Sequence, residues 1–102
     1  MKHRIVITPR ALSDLRDIRE YIARRSPGNA AKFLQKLLAS FDAVQRSPRS
    51  FGKAPEDEFV SYTLHQYVVK PYRVLYRVEG NSIQILHVRH GARRQSRPSD
   101  LS

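Results

Sequence analysis

Two arginines in the run PYRVLYRVEG, Arg73 and Arg77, are the first candidates for chemistry in this chain. They lie four residues apart in an alternating segment, and on a β-strand that spacing puts both on one face, about 13 Å apart. A guanidinium so placed can hold a phosphate or carboxylate through two parallel hydrogen bonds. A second basic group closes the chain: Arg89, His90, Arg93, Arg94 and Arg97. It is reached from the next strand and can sit beside Arg73 across a hairpin. Clusters of this kind neutralise phosphates and make affinity salt-dependent. The expectation is that Arg73, Arg77, Arg89, His90, Arg93 and Arg94 meet a target or a nucleic acid. The plainer reading is a solvated charged edge, although Leu75 between the strand arginines makes simple exposure less comfortable.

Other chemistries are poorly represented. There is no cysteine, which removes thiolate metal sites, disulfides and Cys nucleophiles, and which agrees with a reducing compartment. His65, His87 and His90 lack the helical pair spacing of a metal site, and the carboxylates gather in a separate loop around Glu56, Asp57 and Glu58. No nucleophile elbow, phosphate-binding glycine loop or dinucleotide fingerprint is present. No metal and no cofactor are expected.

The charge balance points to an anionic partner. Nineteen Lys and Arg stand against nine Asp and Glu, a formal +10 on 102 residues. That exceeds the magnitude of roughly 2–8 that solubility asks of a small domain. The surplus suits nucleic acid or an acidic protein. The longest uncharged run, Phe59 to Val69, is polar and much shorter than the roughly 20 apolar residues of a membrane span. Lys2, His3 and Arg4 are followed by Pro9 and Asp14 with no signal-peptide core between them, so a cytoplasmic protein without membrane partners is expected.

The elements that must position these residues are legible in outline. RIVI at 4–7 is a short apolar strand ended by Thr8-Pro9, a good N-cap followed by a residue suited to the first helical turn. Ala11, Leu15, Ile18 and Ile22 form one stripe of an amphipathic helix. Ser26-Pro27-Gly28-Asn29 breaks it and starts a second helix, with Ser26 or Asn29 as cap. There Ala30, Leu34, Leu37, Phe41 and Val44 repeat the stripe, thickened by Phe33 and Leu38. A break this short implies a helical hairpin. Residues 47–58 read as loop and 59–69 as strand, and Lys70-Pro71 marks a turn. Tyr72, Val74, Tyr76 and Val78 should face the helices, leaving Arg73 and Arg77 on an open sheet face. Gly80-Asn81 turns the chain into a last strand from Ser82 to Val88. The expected class is α+β, one domain over 1–102 in the order β-α-α-β-β-β. A chain of this size buries roughly 65% of its unfolded surface, enough for one core. A basic tail from about 95 to 102 should fray.

ITPRALSDLRDIREYIARRSP, AAKFLQKL, PYRVLYRVEGNSIQIL and the closing HVRHGARR together resemble the RelE/ParE superfamily of toxins over residues 4–94. The resemblance implies a toxin of a type II toxin–antitoxin module, neutralised by an acidic antitoxin of the ribbon-helix-helix kind. RelE-like members are similar to RNases that cut messenger RNA on the ribosome, where the ribose 2′-hydroxyl attacks the adjacent phosphate. That step needs a base, a cation for the phosphorane and an acid for the leaving oxygen. Arg73 matches the family's strand arginine for phosphate contact and Arg93 its second arginine after the Gly, His90 suits base or acid, and Glu56 sits where some relatives carry a carboxylate. Against this, VSYTLHQ lacks the lysine pair of the RNases, and no tyrosine follows HGARR. The ending looks more like the ParE branch, whose members resemble non-enzymatic inhibitors of DNA gyrase. A plain basic nucleic-acid-binding module is the third reading.

A sheet this small cannot cover both helices. Some of Leu12, Tyr21, Phe33 and Leu38 should therefore remain exposed and receive the antitoxin as an amphipathic acidic helix.

Overall fold

In the computed structural model, which describes residues 3–91, Thr8 ends one element and starts the next. Strand β1 (Arg4–Ile7) stops there, and the Thr8 hydroxyl oxygen accepts from the Ala11 N–H at 3.3 Å to cap helix α1 (Pro9–Arg25). Ser26 both closes α1 and precedes helix α2 (Pro27–Arg46), so a single residue joins the helices, and Asn29 lies inside α2. A 3-10 helix (Pro55–Phe59) follows, then strands β2 (His65–Val69), β3 (Tyr72–Glu79) and β4 (Ser82–His90). The expected strand over 59–69 is thus halved. Three carboxylates behind Pro55 suit a helical first turn better than a ladder.

The sheet order is β1-β4-β3-β2, with β1 parallel to β4 and the other pairs antiparallel. Of the two residues between β3 and β4, only Gly80 has a positive φ, +58°, a conformation that an L side chain would strain. The expected α+β architecture is the one observed. Ala11 and Ile18 from α1 and Phe33, Leu37, Phe41 and Val44 from α2 pack on Tyr72, Val74, Tyr76, Ile83, Ile85 and Val88. The alternation of β3 therefore turns the four expected residues to the helices, Val78 only partly buried.

The opposite face departs from expectation. Past the β2 edge, residues 54–64 fold over this face as a strap, so it is not an open sheet surface. Ala54, Leu64 and Leu75 form a second small core there, flanked by Val60, Tyr62 and Leu86. Backbone bonds from Ala54 N–H to Leu64 O (2.8 Å) and from Gln66 N–H to Gly52 O (2.9 Å) seal the strap to the β2 edge. Leu75 is fully buried because the chain supplies its own cover.

Candidate functional site

Arg73 projects from β3 beneath this strap. Its two terminal nitrogens reach both carboxylate oxygens of Glu56, Nη2 to Oε2 at 2.8 Å and Nη1 to Oε1 at 3.2 Å. Nη1 also donates to Gln66 Oε1 at 2.8 Å. The Arg73 side chain is 12% exposed and that of Glu56 fully buried. A bidentate fork closed on an internal carboxylate has little left for an external phosphate. Arg77 is likewise engaged. It lies 4.8 Å over the Tyr62 ring and donates to Gln84 Oε1 at 2.8 Å, and its guanidinium pairs with Glu79. The expectation of two arginines on an open face is corrected on both counts.

Across the hairpin, Arg89 stands in register with Arg73 and His90 with Tyr72. Side chains paired across an antiparallel ladder share a face, and successive residues alternate. Arg73 therefore belongs to the strap side and Tyr72 and His90 to the helix side, while Arg89, on the stretch of β4 that β1 leaves as an edge, also reaches the groove beside α1. The His90 ring meets the Tyr72 ring almost edge-on, with centroids 5.5 Å apart. Of the residues expected to cooperate in RNA cleavage, the fold joins Arg73 to Glu56 and sets His90 on the other side of the sheet. Arg93 and Arg94, and the basic tail, lie outside the described residues.

His90 opens instead onto a groove of about 750 Å³ between α1 and the end of β4, with Arg10, Asp17, Tyr21, Tyr72 and Arg89 among its lining. At its inner end is a contact not anticipated from the sequence. Asp14 Oδ2 accepts from the Val88 N–H at 3.0 Å and from His87 Nδ1, while Asp14 Oδ1 accepts from Arg10 Nε at 3.2 Å. Strand β1 pairs only with residues 82–85 of β4, so Asp14 supplies the acceptor that a longer β1 would have given Val88. A register shift in the β3–β4 ladder between Leu75 and Tyr76 displaces this end of β4. Nothing in the one-dimensional pattern announces that shift. His87 is buried, and its Nε2 has no hydrogen-bond partner among the described residues.

Tyrosines fill the core side. Burial pushes the Tyr67 hydroxyl up to about 12, against a hydrogen bond from Ser40 that lowers it, and burial also raises that of Tyr76, which donates to the Pro48 carbonyl. Burial raises Tyr62 too, with the Arg77 charge opposing. Among the described residues, no cluster of His, Asp and Glu is arranged to hold a metal. No described helix is long and apolar enough to cross a membrane.

Three of the four apolar residues expected to meet a partner are exposed: Leu12 at 42%, Tyr21 at 51% and Leu38 at 64%. Phe33 is corrected to a core residue, 7% exposed and packed on the Tyr72 ring at 5.0 Å. Being one of two adjacent apolar positions, it was not distinguishable by type from its neighbour Leu34, which is the less buried.

A helical hairpin thus covers one face of a β1-β4-β3-β2 sheet and a strap the other, which defines a small layered α+β class. The ParE toxin family of type II toxin–antitoxin systems (parDE) matches residues 5–95, and the chain belongs to that family within the RelE/ParE superfamily. Toxin RelE2 of Caulobacter vibrioides is 33% identical over 90 residues, covering 87% of this chain and 96% of the relative. The fold is shared with a structure of the chromosomal ParDE toxin–antitoxin system of P. aeruginosa, at a TM-score of 0.72 and 22% identity over 87% of this chain and 96% of that one. It is also shared with the RelBE2 toxin–antitoxin complex of Mycobacterium tuberculosis, at 0.58 and 23% over 88% and 99%.

Proposed function

We propose that this toxin arrests growth as a non-enzymatic inhibitor of DNA gyrase, in the manner the ParE-like ending implies, and that a cognate acidic antitoxin neutralises it. The observation that carries this reading is the separation of His90 from Arg73 by the thickness of the sheet, with Arg73 closed on Glu56 and Gln66. Cleavage through a ribose 2′-hydroxyl needs acid, base and cation to converge on one phosphate. These residues diverge. A protein-binding surface needs no such convergence, and Arg89, His90 and the groove beside them suit contact with a larger partner in the cytoplasm.

The RelE-like alternative, a ribosome-dependent mRNA endonuclease, is tested against this reading with one substitution. General acid–base catalysis is typically worth about 10²–10⁴-fold, so an RNase should lose nearly all toxicity on His90→Gln. A gyrase binder should keep substantial toxicity, because Gln retains a donor and a lost neutral hydrogen bond costs about 0.5–1.5 kcal/mol. We expect the variant to arrest growth, the purified toxin to inhibit supercoiling, and ribosome-bound message to stay intact. Message cleavage that disappears with His90→Gln would overturn the proposal. Binding of duplex DNA without effect on either assay would leave only the third reading, a basic nucleic-acid-binding module.

A further inference from the structure

We infer that the groove between α1 and the end of β4 is where this toxin meets its target, and that it takes an extended acidic segment of that target as an added strand on β4. This rests on the reading of the chain as a gyrase inhibitor, and adds the surface that makes the contact and the chemistry it uses.

The groove exists because β4 outruns its neighbour. Strand β1 pairs with residues 82–85 of β4 and ends, while β4 continues to His90. Along the paired part, Ile85 turns its carbonyl to the β1 side, where the Thr8 amide reaches it at 3.1 Å. Leu86 is then the extra residue of a bulge, since Tyr76 stands opposite Ile85 and Leu75 opposite His87. One extra residue reverses which backbone groups face outward. Val88 accordingly sends its N–H to this edge, into the Asp14 carboxylate, and Gly91 sends its own the other way, to the Pro71 carbonyl at 2.8 Å. The N–H and C=O of one strand residue point to the same side, so the Val88 carbonyl also faces the groove. Asp14 cannot donate to it, and no strand of the described residues lies there to do so.

The walls select the occupant. Tyr21, half-exposed, gives the groove an apolar wall together with Ile22 and Pro71. The exposed Arg25 guanidinium lies 4.7 Å over the Tyr21 ring, in no ion pair among the described residues, and Arg89 lines the opposite side. The volume, about 750 Å³, falls within the range of roughly 300–1,000 Å³ typical of binding sites. An α-helix has spent its amides internally and keeps only those of its first turn for Val88. A phosphate chain would meet the Asp14 and Asp17 carboxylates that line the same wall. An extended peptide supplies an amide to the strand edge and sends alternate side chains into the groove. On a chain carrying +10, an acidic segment is the complementary one, with carboxylates for Arg25 and Arg89.

The test uses the full chain with DNA-bound gyrase holoenzyme. Tyr21→Ala and Arg25→Glu should each raise the toxin concentration that half-inhibits supercoiling by about 10-fold, as expected at an interface anchor. Lys36→Glu, the same change of charge at an exposed position of α2 outside the groove, should leave it unchanged, and the melting temperature of each variant confirms folding. The photo-crosslinking residue p-benzoylphenylalanine in place of Tyr21 should attach to an acidic, extended segment of gyrase, identified by mass spectrometry. The same residue in place of Val68, on the far edge strand β2, should not. Full potency of both groove variants, with wild-type inhibition intact, overturns this site while the gyrase reading stands. A crosslink from position 21 to a helical segment overturns the added strand, and one to DNA assigns the groove to nucleic acid and overturns the inference. Absence of inhibition by the wild-type chain overturns both readings.

Discussion

Arg73 has two demands on it, and the strap decides between them. As a strand arginine in a chain carrying +10 it invites a role in phosphate contact, yet its guanidinium is closed on a fully buried carboxylate. Removing one partner of a buried ion pair leaves an uncompensated charge and costs about 3–5 kcal/mol. Arg73→Ala should therefore lower stability by that order, measured by urea unfolding. Loss of toxicity in that variant would report unfolding before it reported a lost target contact. Arg73→Met combined with Glu56→Leu should recover most of the loss, because apolar replacement of both members of a buried pair is often close to neutral. A double variant no more stable than Arg73→Ala would show that Gln66 and the strap geometry matter more than the charge. Tyr67 gives a second measurable property. Its hydroxyl ionises near 10 when unfolded and at about 12 in the fold, so folding disfavours the tyrosinate. The stability it contributes is complete below pH 10 and is lost as pH rises from 10 towards 12. Alkaline titration followed by tyrosinate absorbance and circular dichroism should show ionisation coupled to unfolding, and Tyr67→Phe should move that transition to higher pH.

At the scale of elements, α1 is fastened to β4 at three points along the strand. Thr8 donates through its hydroxyl to the Ile85 carbonyl at 2.7 Å, Asp14 takes the Val88 amide and the His87 ring, and Ile18 and Ile22 close on the core. Asp14 thus does for β4 what a neighbouring strand does elsewhere. Asp14→Ala would strand the Val88 N–H and His87 Nδ1 without their acceptor, at about 1–3 kcal/mol for each buried group left unsatisfied. Native-state hydrogen exchange should show the Val88 amide exchanging much faster in that variant, with the Ile83 and Ile85 amides less affected. Equal protection of Val88 in both proteins would mean that the clasp is replaceable by water.

At the scale of the whole molecule, charge and exposed apolar area act together. The +10 excess repels itself in the free chain, and Leu12, Leu38 and Tyr21 lie open to water, so the toxin alone should be poorly behaved at low ionic strength. A partner that binds only the folded toxin stabilises it by about 2.7 kcal/mol at one hundred times its dissociation constant. The melting temperature should therefore rise with antitoxin concentration, and the shift should shrink as salt screens the charges. A shift unaffected by salt would assign the recognition to apolar contact alone.

Patterns of short range were enough for much of this chain. The Thr8-Pro9 helix start, the stripe through Ala11 and Ile18, the inward turn of Tyr72, Val74 and Tyr76, and the Gly80 turn each depend on neighbours within a few residues. Periodicity and φ preference act at that range. The ParE-like order of elements follows from the same local rules once the hairpin closes. Arg89 stands opposite Arg73 only because of the register shift between Leu75 and Tyr76; an unshifted ladder would set Val88 there. What the sequence left open depends on residues far apart along the chain. Glu56 lies 17 positions before Arg73, in a segment that looks like plain loop by composition, and only the folding of the strap onto Leu75 turns two exposed-seeming arginines into engaged ones. The partnership of Asp14 with His87, 73 positions apart, needs a displaced β4 end and a β1 that stops early. Phe33 and Leu38 are both apolar residues of one helix, and their opposite fates were set by which flank met the sheet. Local chemistry chose the elements, and packing between distant segments chose which charges and apolar side chains were left to meet another molecule.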